Sequence, residues 1–175
     1  LGGRPVICRC LENIAAAGVK ETVVVLGNQP DAVREAISGY GARMVCNDEP
    51  ESEMSDSIRL GLRAVDPAAT GVLVCMADHP LVRPDTLAAM LRSHEESPRR
   101  IVIPVHRGRK GHPPLLPRGI IEELDGLPTL RHVIRRHPDA VYHLEVEDKG
   151  VLMDMDTPDD YRRVAALFER GMSGQ

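Results

Sequence analysis

Short runs of β-branched and aliphatic residues alternate with longer amphipathic stretches along the whole chain, and this alternation narrows the fold more than any other feature. Thr22-Val23-Val24-Val25-Leu26 has no polar face, as in a strand covered by helices on both sides. The clearest strand runs from Gly71 to Met76. Glu21 to Leu26, Arg43 to Cys46, Ile101 to Ile103, Ala140 to Val146 and Val151 to Met155 complete the predicted set. Helical spacing of apolar residues predicts helices over Val6 to Ala17, Pro30 to Ile37, Met54 to Val65 and Pro84 to Ser97. Two short helices are expected between Gly119 and His137, interrupted at Gly126 and Pro128. Thr157 and Pro158 open the last helix as N-cap and first residue, and Asp159 and Asp160 complement its dipole. No repeat or low-complexity linker interrupts the pattern, so one α/β domain around a mostly parallel sheet is expected over residues 1–175.

Composition removes several classes of function. With three Tyr, one Phe and no Trp, the core must be aliphatic, and the stacking platforms of single-strand binders are missing. A net charge of −4 lacks the basic excess of a nucleic-acid binder. No window of eighteen apolar residues suggests a membrane span, and Leu1-Gly2-Gly3-Arg4-Pro5 lacks the apolar stretch of a signal peptide. Four cysteines without a framework spacing read as small hydrophobes in a reducing compartment, with Cys46 and Cys75 expected inside strands. A cytoplasmic protein is expected.

Chemistry concentrates in a few stretches. Asp78, in Ala77-Asp78-His79-Pro80, follows the clearest strand at the sheet edge where open α/β folds bind ligands. A carboxylate there either caps the next turn or meets a hard cation. Asp154 and Asp156, two apart in an extended chain, would present both carboxylates on one face about 6.6 Å apart at Cα. One of them meeting Asp78 would suit Mg²⁺, which takes one or two protein carboxylates and fills its other positions with phosphate oxygens and water. Ser55 or Ser57, opening the helix at Met54, serves as an N-cap or meets ligand phosphate. Gly108-Arg109-Lys110-Gly111 reads as a basic turn, and Arg131, Arg135 and Arg136 as an exposed helical face.

In their order, these motifs resemble the molybdenum cofactor nucleotidyltransferases of the MobA-like NTP transferase family, and the cytidylyltransferase branch most closely. The stretches that carry the likeness are Gly2-Gly3-Arg4-Pro5-Val6-Ile7, Met54-Ser55-Asp56-Ser57-Ile58, Ala77-Asp78-His79-Pro80-Leu81, Gly111-His112-Pro113 and Asp154-Met155-Asp156-Thr157-Pro158. The resemblance implies a three-layer α/β/α Rossmann-like sandwich that transfers CMP or another NMP from an NTP to molybdopterin and releases pyrophosphate. It implies catalytic and metal-holding roles for Asp78 and Asp156, with Asp154 as the alternative ligand and Mg²⁺ as the cofactor. Ser55, Ser57, His79, Pro80, Gly111, His112 and Pro113 would line the substrates, with the serines near the nucleotide and Gly111 to Pro113 on the pterin side. CTP is the favoured nucleotide. A second copy of the chain or a molybdoenzyme that receives the product are the partners this reading leaves open.

Family members begin with a strand and a Gly-rich phosphate loop, whereas this sequence opens at Leu1 beyond that motif. The resemblance thus implies an N-terminally incomplete domain whose first βα element is absent. His79 stands where the cytidylyltransferase branch has Gln, which leaves the base open, and Glu53 replaces a Gly. A non-catalytic nucleotide- or cofactor-binding module, or a transferase acting on a sugar phosphate, are the competing readings.

Overall fold

A computed structural model describes residues 1–27 and 30–172. Helix α1 (Val6–Ala16) leads into β1 (Val23–Leu26), α2 (Pro30–Ile37), β2 (Arg43–Cys46), α3 (Met54–Ala64), β3 (Gly71–Leu73) and α4 (Pro84–Glu96). The second half contributes β4 (Ile101–His106), β5 (Arg109–Lys110), β6 (Leu115–Pro117), α5 (Arg118–Ile121), α6 (Leu130–Arg136), β7 (Val141–Glu145) and α7 (Pro158–Met172). Among the described residues no helix is long and apolar enough to cross a membrane.

Strand β4 is the centre of a five-stranded sheet, and all six of its residues are buried. Its side chains alternate as a pleat requires. Ile101 and Ile103 join Leu62 of α3, Leu116, Ile121 and Val133 on one face. Val102 meets Met90 of α4 and Leu115 on the other. Helices therefore cover both faces, which gives the three-layer sandwich.

The sheet is less parallel than the alternation predicts. The β1–β2 and β4–β7 ladders are parallel, but β3–β6, β6–β4 and β4–β5 run antiparallel. A tight hairpin is the reason. Arg107 and Gly108 both take positive φ between β4 and β5, the pairing of signs that turns a chain back on itself in two residues. The chain then returns as β6 between β4 and β3 without the long crossover that a parallel neighbour requires. Strand β6 has no counterpart among the expected strands, because Leu115-Leu116-Pro117 is too short to show a period.

Strands β1 and β2 form a separate parallel pair. It nevertheless lies in the same layer as the larger sheet, because two helices straddle both. Helix α1 sets Cys8 and Leu11 against Leu26 and Val24, and Ile14 into the cluster that holds Leu73 and Val82. From the opposite side, Gly61 of α3 brings its backbone against Val25, while Ile58 and Leu62 pack with Val72 and Val74. Among the described residues no ladder joins β1 to β3, so each keeps one edge without a strand partner. Val23, Val24 and Val25 are consequently only half-buried, although their run is apolar enough for full burial.

The open edge also exposes Cys75, one of the two cysteines expected inside strands. Cys8 and Cys10 are buried under α1, whereas Cys75 is exposed and Cys46 half-buried, and all four are free thiols. The stretch Val151 to Met155 forms no strand; a 3₁₀ turn at Lys149–Leu152 gives way to irregular chain. The last helix is capped as its sequence demands. Asp160 N–H donates to Thr157 Oγ1 at 3.2 Å, and Thr157 N–H donates to Asp160 Oδ2 at 2.9 Å.

Candidate active site

The apolar run that begins in β3 ends at Met76, and the chain turns through Ala77 and Asp78. Helix α1 holds that turn from below. Asn13 Nδ2 donates to the carbonyls of Pro80 and Val82, both at 3.0 Å, and Cys10 Sγ lies 3.5 Å from the Ala77 carbonyl. Burial pushes the Cys10 thiol up to about 12, with the charge of Asp78 adding to the shift, so this sulfur stays protonated.

A second anchor comes from far along the chain. The carboxylate of Asp148 is 3% exposed and accepts from Arg83 N–H at 2.8 Å, Thr86 Oγ1 at 2.7 Å and Gly150 N–H at 2.9 Å. These bonds tie the first turn of α4 to the 3₁₀ turn after β7. Glycine is required at its centre, because a Cβ on Gly150 would lie 2.1 Å from the Leu81 carbonyl oxygen. Gly111 is equally confined: a Cβ there would lie 2.5 Å from the Val151 carbonyl oxygen. His112 N–H then donates to that same carbonyl at 2.8 Å. Three distant segments are thereby clamped around one point.

At that point the imidazoles of His79 and His112 stand with ring centroids 5.1 Å apart, tilted by 31°. His79 Nε2 is 3.7 Å from Asp78 Oδ1. Burial, followed by the neighbouring His79, draws His112 below its ordinary value, while the charges of Asp78 and Asp154 pull it up. Asp78, His79, His112 and Asp154 thus share one electrostatic environment. Asp78 Oδ1 and His79 Nδ1 are both buried and accept or donate no hydrogen bond. A buried carboxylate oxygen without a donor is costly unless a ligand or cation completes it. Its chemistry fits a hard divalent ion, and the one or two protein carboxylates that Mg²⁺ takes match this sparse set. Among the described residues no group of three or more His, Cys, Asp or Glu gathers as a metal cage.

Of the other expected residues, Pro113 and His112 line the small pocket here together with His79, Cys10, Asn13 and Val82. Pro80 is buried and contributes its carbonyl to Asn13. Asp154 and Asp156 are both exposed. Ser57 Oγ accepts from Asn47 Nδ2 at 3.0 Å, which ties α3 to the end of β2. Ser55 lines a different groove, with Arg131 and Arg135. The α3 N-cap is Glu53, whose N–H donates to Asp56 Oδ2 at 2.9 Å, so neither serine caps this helix. Asn13, Asp148 and Gly150 escaped the sequence reading; only the Asp-x-Gly spacing, which suits a side-chain-closed turn, marks the last two.

Known proteins share this fold. A family model described as the MobA-like NTP transferase domain matches residues 1–141. A nucleotidyl transferase from Methanothermobacter thermautotroptrophicus superposes with a TM-score of 0.84 at 26% identity, over 98% of this chain and 83% of that one. Rv0371c from Mycobacterium tuberculosis H37Rv is 30% identical over 91% of this chain and 82% of its own, with a TM-score of 0.78, and has also been solved in complex with manganese. In sequence, nicotine blue oxidoreductase of Paenarthrobacter nicotinovorans is 26% identical over 93% of this chain and 83% of its own length. The bifunctional protein GlmU of Geobacter metallireducens is 30% identical over 54% of this chain, which spans only 20% of that protein.

Proposed function

The chain belongs to the MobA-like NTP transferase family, and on that premise we propose that it moves a nucleoside monophosphate, CMP by preference, from an NTP to molybdopterin. The observation that carries this reading is the buried Oδ1 of Asp78, which accepts no hydrogen bond, beside the His79–His112 pair. In the reaction, a phosphate oxygen of the acceptor attacks the α-phosphorus of the NTP. One P–O bond forms, the bond to the outer two phosphates breaks, and pyrophosphate leaves with the electron pair. Little covalent chemistry falls to the protein; positioning and charge neutralisation dominate.

Asp78 is the principal metal-holding residue in this reading, with Asp156 or Asp154 as its partner. A divalent ion, Mg²⁺ by preference, would neutralise phosphate charge there, and the manganese complex of Rv0371c supports divalent binding in a related fold. His112, drawn down by burial and by His79, offers a neutral imidazole that orients a phosphate or pterin group by hydrogen bonding. Gly111 and Gly150 keep that imidazole and the Asp78 turn in fixed register.

Calorimetric titration of CTP, GTP and ATP, each with and without Mg²⁺, tests the reading, followed by transfer assays with molybdopterin and with sugar phosphates. Metal-dependent binding that favours CTP and disappears in Asp78→Asn, with little loss of stability, is the expected result. Absence of nucleotide binding in the presence of Mg²⁺, or unchanged binding by Asp78→Asn, would overturn it. Transfer to a sugar phosphate in place of molybdopterin would retain the reaction and replace the acceptor.

A further inference from the structure

Two adjacent residues, Asp78 and His79, each carry a buried side-chain atom that makes no hydrogen bond among the described residues, Oδ1 of the first and Nδ1 of the second. The His79 side chain is only 10% exposed. Both atoms have lost hydration without a protein partner in return, which is costly for each. A turn free to move would swing them out to water, so something must hold it in place.

The restraint comes from α1. Asn13 Nδ2 donates to the carbonyls of Pro80 and Val82, both at 3.0 Å, and Cys10 Sγ lies 3.5 Å from the Ala77 carbonyl. These contacts bracket Asp78 and His79, one before the pair and two after it. Carbonyls only accept, so the Asn13 amide must turn its NH₂ group toward them. Within the turn the backbone adds a long bond, from His79 N–H to the Met76 carbonyl at 3.4 Å. Asn13 and Cys10 stand three residues apart on one face of α1, and both line the small pocket with His79. Asn is a poor helix former, and Leu or Ala would suit the middle of α1 better. What Asn13 supplies in exchange is a pair of donors for the turn.

We infer that Asn13 is a positioning residue for the divalent ion: by holding the Pro80 and Val82 carbonyls it keeps the Asp78 carboxylate buried and ready, and so sets metal affinity without touching metal or substrate. The inference rests on the transferase reading, which makes Asp78 the metal-holding residue. A carboxylate held in advance loses little freedom when the ion arrives, whereas one on a loose turn must first be dehydrated and ordered. Cys10, a weak donor, contributes less.

The test is Asn13→Leu, which removes both donors, keeps nearly the same shape and favours the helix. Calorimetry of Mn²⁺ binding in the presence of CTP compares it with the wild type, and urea unfolding and amide exchange are measured on the metal-free proteins. Mn²⁺ affinity should fall by about tenfold or more, the usual effect of removing a group that orients a metal ligand. The urea midpoint should change little, because the better helix former offsets the lost bonds. Amides of Asp78 and His79 should exchange faster, with those of α1 unchanged. Asn13→Ala should reproduce the loss of affinity and serves in its place should the larger side chain disturb folding. Unchanged Mn²⁺ affinity in the folded variants overturns the inference even where stability falls, since that is the mark of packing alone. Unchanged exchange at Asp78 and His79 overturns it as well. A wild-type protein that binds no CTP with Mn²⁺ defeats the transferase reading and this inference with it; a wild type that binds, matched by its variants, defeats the role of Asn13 alone.

Discussion

The two sheets receive the same helical cover and differ in how deeply they are buried. Helices α1 and α3 lie across both, yet every residue of β4 is buried while Val23, Val24 and Val25 stay half-open. Faces alone do not bury a strand. β4 is flanked by β6, β5 and β7, whereas β1 has only β2 beside it among the described residues. The larger sheet is therefore the rigid frame, and the Asp78 turn, clamped by Asp148 and Asn13, is fastened to that frame rather than to the smaller pair.

The largest effect expected from this contrast is in the frame. Leu116→Ala removes a fully buried side chain beside Ile101 and Ile103 and should cost about 3 kcal/mol in urea unfolding. Val24→Ala in the smaller pair should cost only about 1 kcal/mol; equal losses would break the comparison. Asp148→Ala should cost about 2 kcal/mol, because three buried or half-buried donors lose their acceptor. It should also loosen the Asp78 turn, seen as faster amide exchange at Leu81 and Val82 with β1 amides unchanged. The smallest effect concerns His94, which packs against Gly71 of β3 with Thr70 Oγ1 3.1 Å from its Nε2. Burial lowers its affinity for a proton below the ordinary 6.5, so the unfolded chain protonates first as pH falls. Its contribution is full above that value and is lost on acidification toward the folded pKa. His94→Gln should flatten the fall of the urea midpoint between neutral and mildly acidic pH, and an unchanged slope would remove His94 from the frame's pH response.

Much of the fold was legible. The boundaries of α2, β2 and the start of α3 follow from the period of the apolar residues and from Pro30. Asp78 was visible because a carboxylate closing an apolar strand is chemically expensive and thus informative. The antiparallel core was not visible. It depends on positive φ at Arg107 and Gly108 and on β6 slipping between β3 and β4, and neither has a hydrophobic period. Arg131 and Arg135 read as an exposed face from their spacing, and the structure leaves both exposed.

By itself, then, the order of apolar and polar residues determined that helices and strands alternate, that the core is aliphatic, and that Asp78 follows an apolar run. These are local properties, set by backbone propensity and by the side-chain period of each element. Which strands pair, which edge stays open, and which distant groups meet were decided only when the chain closed on itself. Asp148 on Thr86 and His112 on His79 are contacts between segments tens of residues apart. Such meetings are fixed by packing of the whole molecule, and no local signal encodes them.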